Sequence, residues 1–289
     1  MLARAGPARN RKGMGMAAHL QARARRGRAR DQRTKDAVAR PHPAGGWKAV
    51  TLRLAAGVVV LWGLLSLIGL AVTHLLVHSA GFHAADLSVD KWFAGHRTGA
   101  LNVVTYIGTT MAQTTTAIGV TVVVVLLLRW RLGRWHESGI FITVMAGELL
   151  IFLSITATIH EPRPPVARLD VAPPTSSYPS GHTAAAVALY GGIAVMILWI
   201  YGRSTVTRIA AGVLFCIPVY VGLSRLYRGM HYPSDVLAGA LLGGLWLLLV
   251  TKTLLQPAAA PRPGAARAKA RPGLARRRGA PLQPRARRS

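Results

Sequence analysis

The chain has 289 residues and a formal net charge of +27, from 36 Lys and Arg against 9 Asp and Glu, yet 51% of it is apolar. Residues 1–53 carry net +12 and residues 252–289 net +11, which leaves the long body between them at +4. Basic excess gathered at the two ends excludes a soluble basic domain for that body, and its apolar content excludes disorder.

Residues 1–50 are rich in Arg, Ala, Gly and Pro without a sustained hydrophobic period, and residues 257–289 repeat that composition; both read as disordered basic tails. Between them, residues 51–256 hold six runs of about 20 apolar residues, each enough to cross a hydrocarbon core of about 30 Å. The runs predict helices over 54–76, 106–128, 138–159, 183–201, 208–224 and 235–255, the second interrupted by Gln113 and Thr114 to Thr116. The expected class is therefore all-α, a polytopic membrane protein of six transmembrane helices with disordered basic tails. The leader before the first run is too long and too basic for a cleaved signal peptide, so that run is expected to act as a signal anchor. Cys216 is the only cysteine and lies in an apolar run, which excludes a disulfide framework and a cysteine-based zinc site.

With six spans, 30 Lys/Arg fall on the side of the termini and 6 on the other, an asymmetry that comes from the tails. The rule that cytoplasmic segments are positive predicts both termini in the cytoplasm of a cell-membrane protein, with the loops after spans one, three and five outside. The unusual polar clusters all lie in those loops. They are Glu161-Pro162-Arg163-Pro164, Pro179-Ser180-Gly181-His182, and Ser224-Arg225 followed by His231 and Asp235. A site that breaks a phosphate ester needs fixed donors, a helix N-terminus, a nucleophile and an acid, and these segments supply each.

Ser180 and Gly181 stand where an apolar helix begins, so their amides and the Ser180 hydroxyl can face an anion, and His182 can reach a leaving oxygen as general acid. The alternative is an ordinary Ser N-cap with a histidine at a helix end. His231 and Asp235 are four apart, and Pro233 suits a first helical turn. A carboxylate at 235 can then hold the 231 imidazole in one tautomer and leave its other nitrogen free to attack. Arg225 can grip two phosphate oxygens. The alternative here is an interfacial ion pair.

The pattern Pro179-Ser180-Gly181-His182, then Ser224-Arg225, five residues, His231, three residues, Asp235, resembles the second and third motifs of the type-2 phosphatidic acid phosphatase superfamily, which includes undecaprenyl-diphosphate phosphatases. The resemblance covers roughly residues 54–255. It implies a six-helix membrane core, no required metal or other cofactor, and a phosphohistidine mechanism. By the same resemblance His231 is the nucleophile, Asp235 its orienting partner and His182 the acid, with Arg163, Arg225, Ser180 and Gly181 as the phosphate cradle.

The first motif departs from the family pattern. Arg163-Pro164 are present, but Thr156 stands where the family has Lys, and Glu161 stands where many relatives have a basic residue. Two positive charges are missing and one negative is added, which should weaken phosphate binding unless Arg168, Arg228 or His160 reaches in; Glu161→Arg is then expected to lower KM. Glu148 is an intramembrane acid, a candidate accessory residue by default, and it lies two turns before Thr156. Gly239 and Gly243 have the spacing of a close helix contact. His74, His78, His83 and His96 lack metal-ligand spacing, and Asp86, Lys91 and Trp92 suggest an amphipathic segment near a headgroup.

These observations predict a membrane phosphatase acting on a polyprenyl diphosphate, phosphatidate or phosphatidylglycerol phosphate. The alternative is a lipid-phosphate binding or transport protein that has lost catalysis, motivated by Thr156 and Glu161. The expected partners are a membrane lipid substrate and, for the tails, anionic headgroups; no nucleic acid is expected, because the tails lack interleaved aromatics.

Overall fold

The computed structural model describes residues 46–76 and 80–255, with Gln21 as an isolated position, so the basic tails expected over 1–50 and 257–289 lie outside the described residues apart from Gln21 and residues 46–50. Helix α1 (Gly46–Leu70) runs on into a π-helical turn, Ala71–Leu76. It is followed by α2 (Ala80–Gly95), α3 (Gly99–Thr110), α4 (Thr114–Leu132) and α5 (His136–Thr158). Helix α6 (Gly181–Ala186) continues through a π-helical turn, Val187–Gly191, into α7 (Gly192–Tyr201), and α8 (Thr205–Tyr227) and α9 (Pro233–Leu254) complete the chain. There is no strand among the described residues. Among the described residues, six stretches are long and apolar enough to cross a membrane: 46–75, 114–132, 136–158, 181–201, 205–227 and 233–254. The protein is an all-α, multi-pass membrane protein.

The second span differs from the apolar run that predicts it. The run over 106–128 is cut at 111–113, where Gln113 takes an extended backbone as the N-cap of α4, so only 114–132 is long enough to cross. The Tyr190 hydroxyl donates to the Met111 carbonyl at 2.8 Å, satisfying an oxygen near the break. The residues before the break form α3, which lies along α8 with Gly108 packed on Ser224.

Helix α9 is central, in contact with α1, α5, α6 and α8. Its small residues make this possible, as the spacing of Gly239 and Gly243 suggests: a Cβ on Gly239 would collide with the Ser180 carbonyl oxygen, and one on Gly243 would come within 2.6 Å of the Ala184 carbonyl oxygen. One turn further, the buried Trp246 lies over Gly147 of α5 and donates its indole N–H to the Val144 carbonyl at 3.0 Å. Large apolar side chains such as Val103, Ile118, Val213 and Leu237 cover the outside of the bundle, where a hydrocarbon solvent takes the place of a partner.

The segments after spans one, three and five are knit together at one end. Asp86 of α2 accepts from the Ser234 N–H at 3.1 Å and from its hydroxyl at 2.5 Å. Arg97 donates to the carbonyls of Tyr227 at 3.1 Å and Ala167 at 2.7 Å. The buried Tyr178 hydroxyl donates to the Leu65 carbonyl at 2.9 Å. Gly229, at φ +70°, turns the chain out of α8, and a Cβ there would press on Val166 and the Ala167 carbonyl.

Candidate active site

A cavity of about 500 Å³ opens beneath this knitted end. Its upper wall carries Arg163, Gly181, His182, Arg225 and His231, drawn from the 159–180 segment, α6, α8 and the turn before α9. Its lower wall is formed by α4 and α5, including Ala117, Ile118, Val122, Ile142 and Leu149. Ile118, Val122, Ile142 and Leu149 are large, exposed apolar residues, so α4 and α5 give this wall an apolar surface.

His231 is buried with one nitrogen committed. Its Nδ1 lies 2.8 Å from the Ser177 carbonyl oxygen, which fixes Nδ1 as the protonated nitrogen and leaves the Nε2 lone pair for the cavity. Asp235, expected to hold this imidazole, stands 3.6 Å from Nδ1, beyond hydrogen-bond length. Its Oδ2 instead accepts from the Ser177 hydroxyl at 2.6 Å and from the Tyr232 N–H at 3.0 Å, capping the start of α9. Burial pushes the His231 imidazole below its ordinary value; Asp235 opposes this, and the Arg225 and Arg163 cations add to it. A neutral imidazole with a free Nε2 is the form in which histidine is a nucleophile.

Two guanidiniums face that nitrogen. Arg163 Nη1 donates to the Met230 carbonyl at 2.7 Å and lies 3.5 Å from His231 Nε2. Arg225 Nη1 donates to Asp170 Oδ2 at 2.9 Å and to the Thr109 hydroxyl. In both side chains the Nε–H is buried and has no hydrogen-bond partner. Buried donors are nearly always satisfied, so these two N–H groups leave both guanidiniums with hydrogen-bonding capacity to spare beside the cavity. Asp170 holds Arg225 in place while taking Arg228 through two-pronged contacts of 2.6–2.8 Å. Burial pushes the Asp170 carboxyl up, but the Arg228 hydrogen bond and the charges of Arg225 and Arg228 outweigh it and hold the group below its ordinary value.

Residues 137–257, which include every one of these groups except Thr109, match the family model of the PAP2 superfamily. This stretch, a little over two fifths of the chain, is similar to that superfamily. Among curated relatives, the lipid A 1-phosphatase of Rhizobium etli is 36% identical over 75 residues, 26% of this chain and 28% of that protein. The phosphatidylglycerophosphatase B of Bacillus subtilis is 40% identical over 78 residues, 26% of this chain and 37% of that protein. The chain thus spans about a third of the length of these relatives. The crystal structure of a transmembrane PAP2 type phosphatidylglycerolphosphate phosphatase from Bacillus subtilis shares the fold, with a TM-score of 0.59 and 24% identity over 68% of this chain and 94% of that one.

Within the PAP2 stretch, the structure brings Gly181, His182, Arg163, Arg225 and His231 onto one cavity wall, with Asp235 behind it. Ser180 is not on that wall. Its hydroxyl is buried against Thr183 as the N-cap of α6, and its N–H donates to the Asp235 carbonyl at 3.0 Å, so it ties α6 to α9. Glu148 faces the cavity lower down. Thr156 is buried and donates to the Leu153 carbonyl at 3.1 Å, Arg168 and His160 are exposed, and Arg228 is engaged by Asp170; none of the four lines the cavity.

Glu161 requires a correction. The sequence argument counts it as a negative charge at the phosphate site, but it does not line the cavity, and its carboxyl lies beside Asp235. Burial, then the Asp235 charge, push it up to about 9, so it is neutral at pH 7 and adds no negative charge. Sequence reasoning missed Ser177 and Asp170. Asp170 had one signal, as the only acid in the outer segments besides Asp86, Asp90, Glu161 and Asp235; for Ser177 there was none.

Proposed function

We propose that this protein is a metal-independent membrane phosphatase that hydrolyses a lipid phosphomonoester or diphosphate. The observation that carries the reading is the convergence on one cavity wall of His231, whose Nδ1 is held by the Ser177 carbonyl, with the Arg163 and Arg225 guanidiniums. Nε2 attacks phosphorus in line, forming a P–N bond as the P–O bond to the lipid breaks. His182, on the same wall, gives its proton to the departing oxygen. The Arg163 and Arg225 guanidiniums and the first amide of α6, at Gly181, hold the equatorial oxygens as charge develops on them. Ser177 and Asp235 position the imidazole. Water then cleaves the P–N bond, with His182 taking the proton, and phosphate leaves.

The apolar wall that α4 and α5 give the cavity supports a lipid substrate whose tail stays in the bilayer while its head reaches His231. The distribution of Lys and Arg supports a site on the extracytoplasmic face with both termini in the cytoplasm, the tails lying on anionic headgroups. Candidate substrates are phosphatidate, phosphatidylglycerol phosphate and a polyprenyl diphosphate. The test is phosphate release by the purified full chain in detergent with chelator present. We expect release that falls at least about 10³-fold in His231→Ala; release that survives this substitution refutes the mechanism, and binding without release by the unaltered chain favours the transport reading.

A further inference from the structure

Below the phosphate end, the cavity wall is apolar but is interrupted by two polar groups. Glu148 of α5 is 3% exposed, faces the cavity, and makes no hydrogen bond or ion pair among the described residues. Thr121 of α4 lines the same wall; its hydroxyl oxygen is buried without a partner and reaches the cavity by rotation about χ1. Unsatisfied groups facing a bilayer-level cavity are costly unless an occupant completes them.

Their depth indicates which occupant. Phe152, one turn after Glu148, touches Gly181 at the phosphate end: a Cβ on Gly181 would lie 2.6 Å from the Phe152 ring. Four helical residues rise about 6 Å, so Glu148 lies about that far along α5 from the level of the phosphate. In a phosphoglyceride, five bonds separate phosphorus from the nearest ester carbonyl carbon, and because bonds of about 1.5 Å zigzag and each advance the chain by about 1.25 Å, an extended chain of that kind spans about 6 Å. A polyprenyl tail has only hydrocarbon at that depth.

We propose that Glu148 and Thr121 form a second, membrane-buried subsite that hydrogen-bonds an ester carbonyl of the lipid whose phosphate sits at His231. The Thr121 hydroxyl donates to that carbonyl, as does the carboxyl O–H of Glu148 in its neutral form. The subsite rests on the lipid-phosphatase reading and narrows it to ester-linked phosphoglycerides. Its test compares diester phosphatidate, its diether analogue and a polyprenyl monophosphate in mixed micelles. One hydrogen bond predicts a KM about 3- to 10-fold lower for the diester than for the diether. That ratio falls toward one in Glu148→Leu and in Thr121→Val and is largely kept in Glu148→Gln. No ester preference in the unaltered chain, or a ratio that survives both Glu148→Leu and Thr121→Val, overturns the subsite.

A binding measurement separates this failure from failure of the phosphatase reading. In His231→Ala protein, the diester should raise Tm more than the diether does. If the unaltered chain hydrolyses none of the three lipids, the phosphatase reading falls. The subsite is then decided by this comparison alone, and equal shifts overturn it.

Discussion

Glu161→Gln separates counted charge from actual charge at this site. With its carboxyl pushed up to about 9 by burial and by Asp235, Glu161 is mainly protonated at pH 7, so glutamine removes little negative charge. KM for phosphatidate at pH 7 should therefore stay within about twofold of the unaltered chain. Were Glu161 ionised next to the phosphate, neutralising it would remove a repulsion of about 1–4 kcal/mol for charges about 4 Å apart, and KM would fall at least about fivefold. Linkage gives a second readout. A group whose folded value is raised contributes stability that is full below its unfolded value of 4.5 and is lost as pH rises toward 9. The unaltered chain should thus lose Tm between pH 5 and pH 9 more steeply than Glu161→Gln. The assay is phosphate release against substrate concentration at pH 7, with thermal unfolding in the same detergent from pH 5 to 9. A fivefold fall in KM at pH 7, or parallel Tm profiles, would refute a neutral Glu161. Glu161→Arg would then add one positive charge rather than reverse a negative one, and from a position off the cavity wall, so the gain expected of it shrinks.

Asp170→Asn leaves two buried guanidiniums without their shared counter-ion. Removing one partner of a buried pair costs about 3–5 kcal/mol, and with Asp170 16% exposed the lower end applies, so Tm should fall by about 6–12 °C; an unchanged Tm counts against the latch. Gly239→Ala drives a methyl into the Ser180 carbonyl and should shift the start of α6, lowering kcat about tenfold or more. Gly244→Ala, where a Cβ meets nothing within 4 Å, should be silent in the same assay. Because burial depresses the His231 imidazole, the acid limb of kcat/KM should lie below pH 6.5, and the fold should lose stability as pH drops below that value; a limb at or above 6.5 contradicts a neutral nucleophile.

The six crossings were legible because a bilayer demands long apolar helices, and the start of α6 was legible because a Ser-Gly pair before an apolar run is a local signal. The cut at 111–113 was visible as Gln113 and the threonines after it. Its consequence, a separate α3 lying along α8, depends on Gly108 meeting Ser224 more than a hundred residues away, which no local pattern encodes. Ser177 and Asp170 were hidden for a related reason. They sit in the irregular 159–180 segment, where no periodicity assigns a direction to a side chain, and their partners lie on α8, α9 and the turn between those helices.

The strength of an anion site depends on donors without partners, which a count of charges does not report. Arg228 adds a formal charge near the cavity, but its nitrogens are taken by Asp170, Asn102, Thr105 and Leu169, so it acts as a brace. Arg163 and Arg225 are also partly engaged, yet each keeps a buried Nε–H without a partner, and both side chains share the cavity wall with His231. Thr156 and Glu161, which looked like losses at the phosphate, lie off the cavity wall, so neither subtracts from this pair. The same accounting explains why the +27 of the whole chain says so little about the chemistry. Most of that charge lies beyond the described core, while the proposed phosphate contacts come from two arginines on the wall that carries His231.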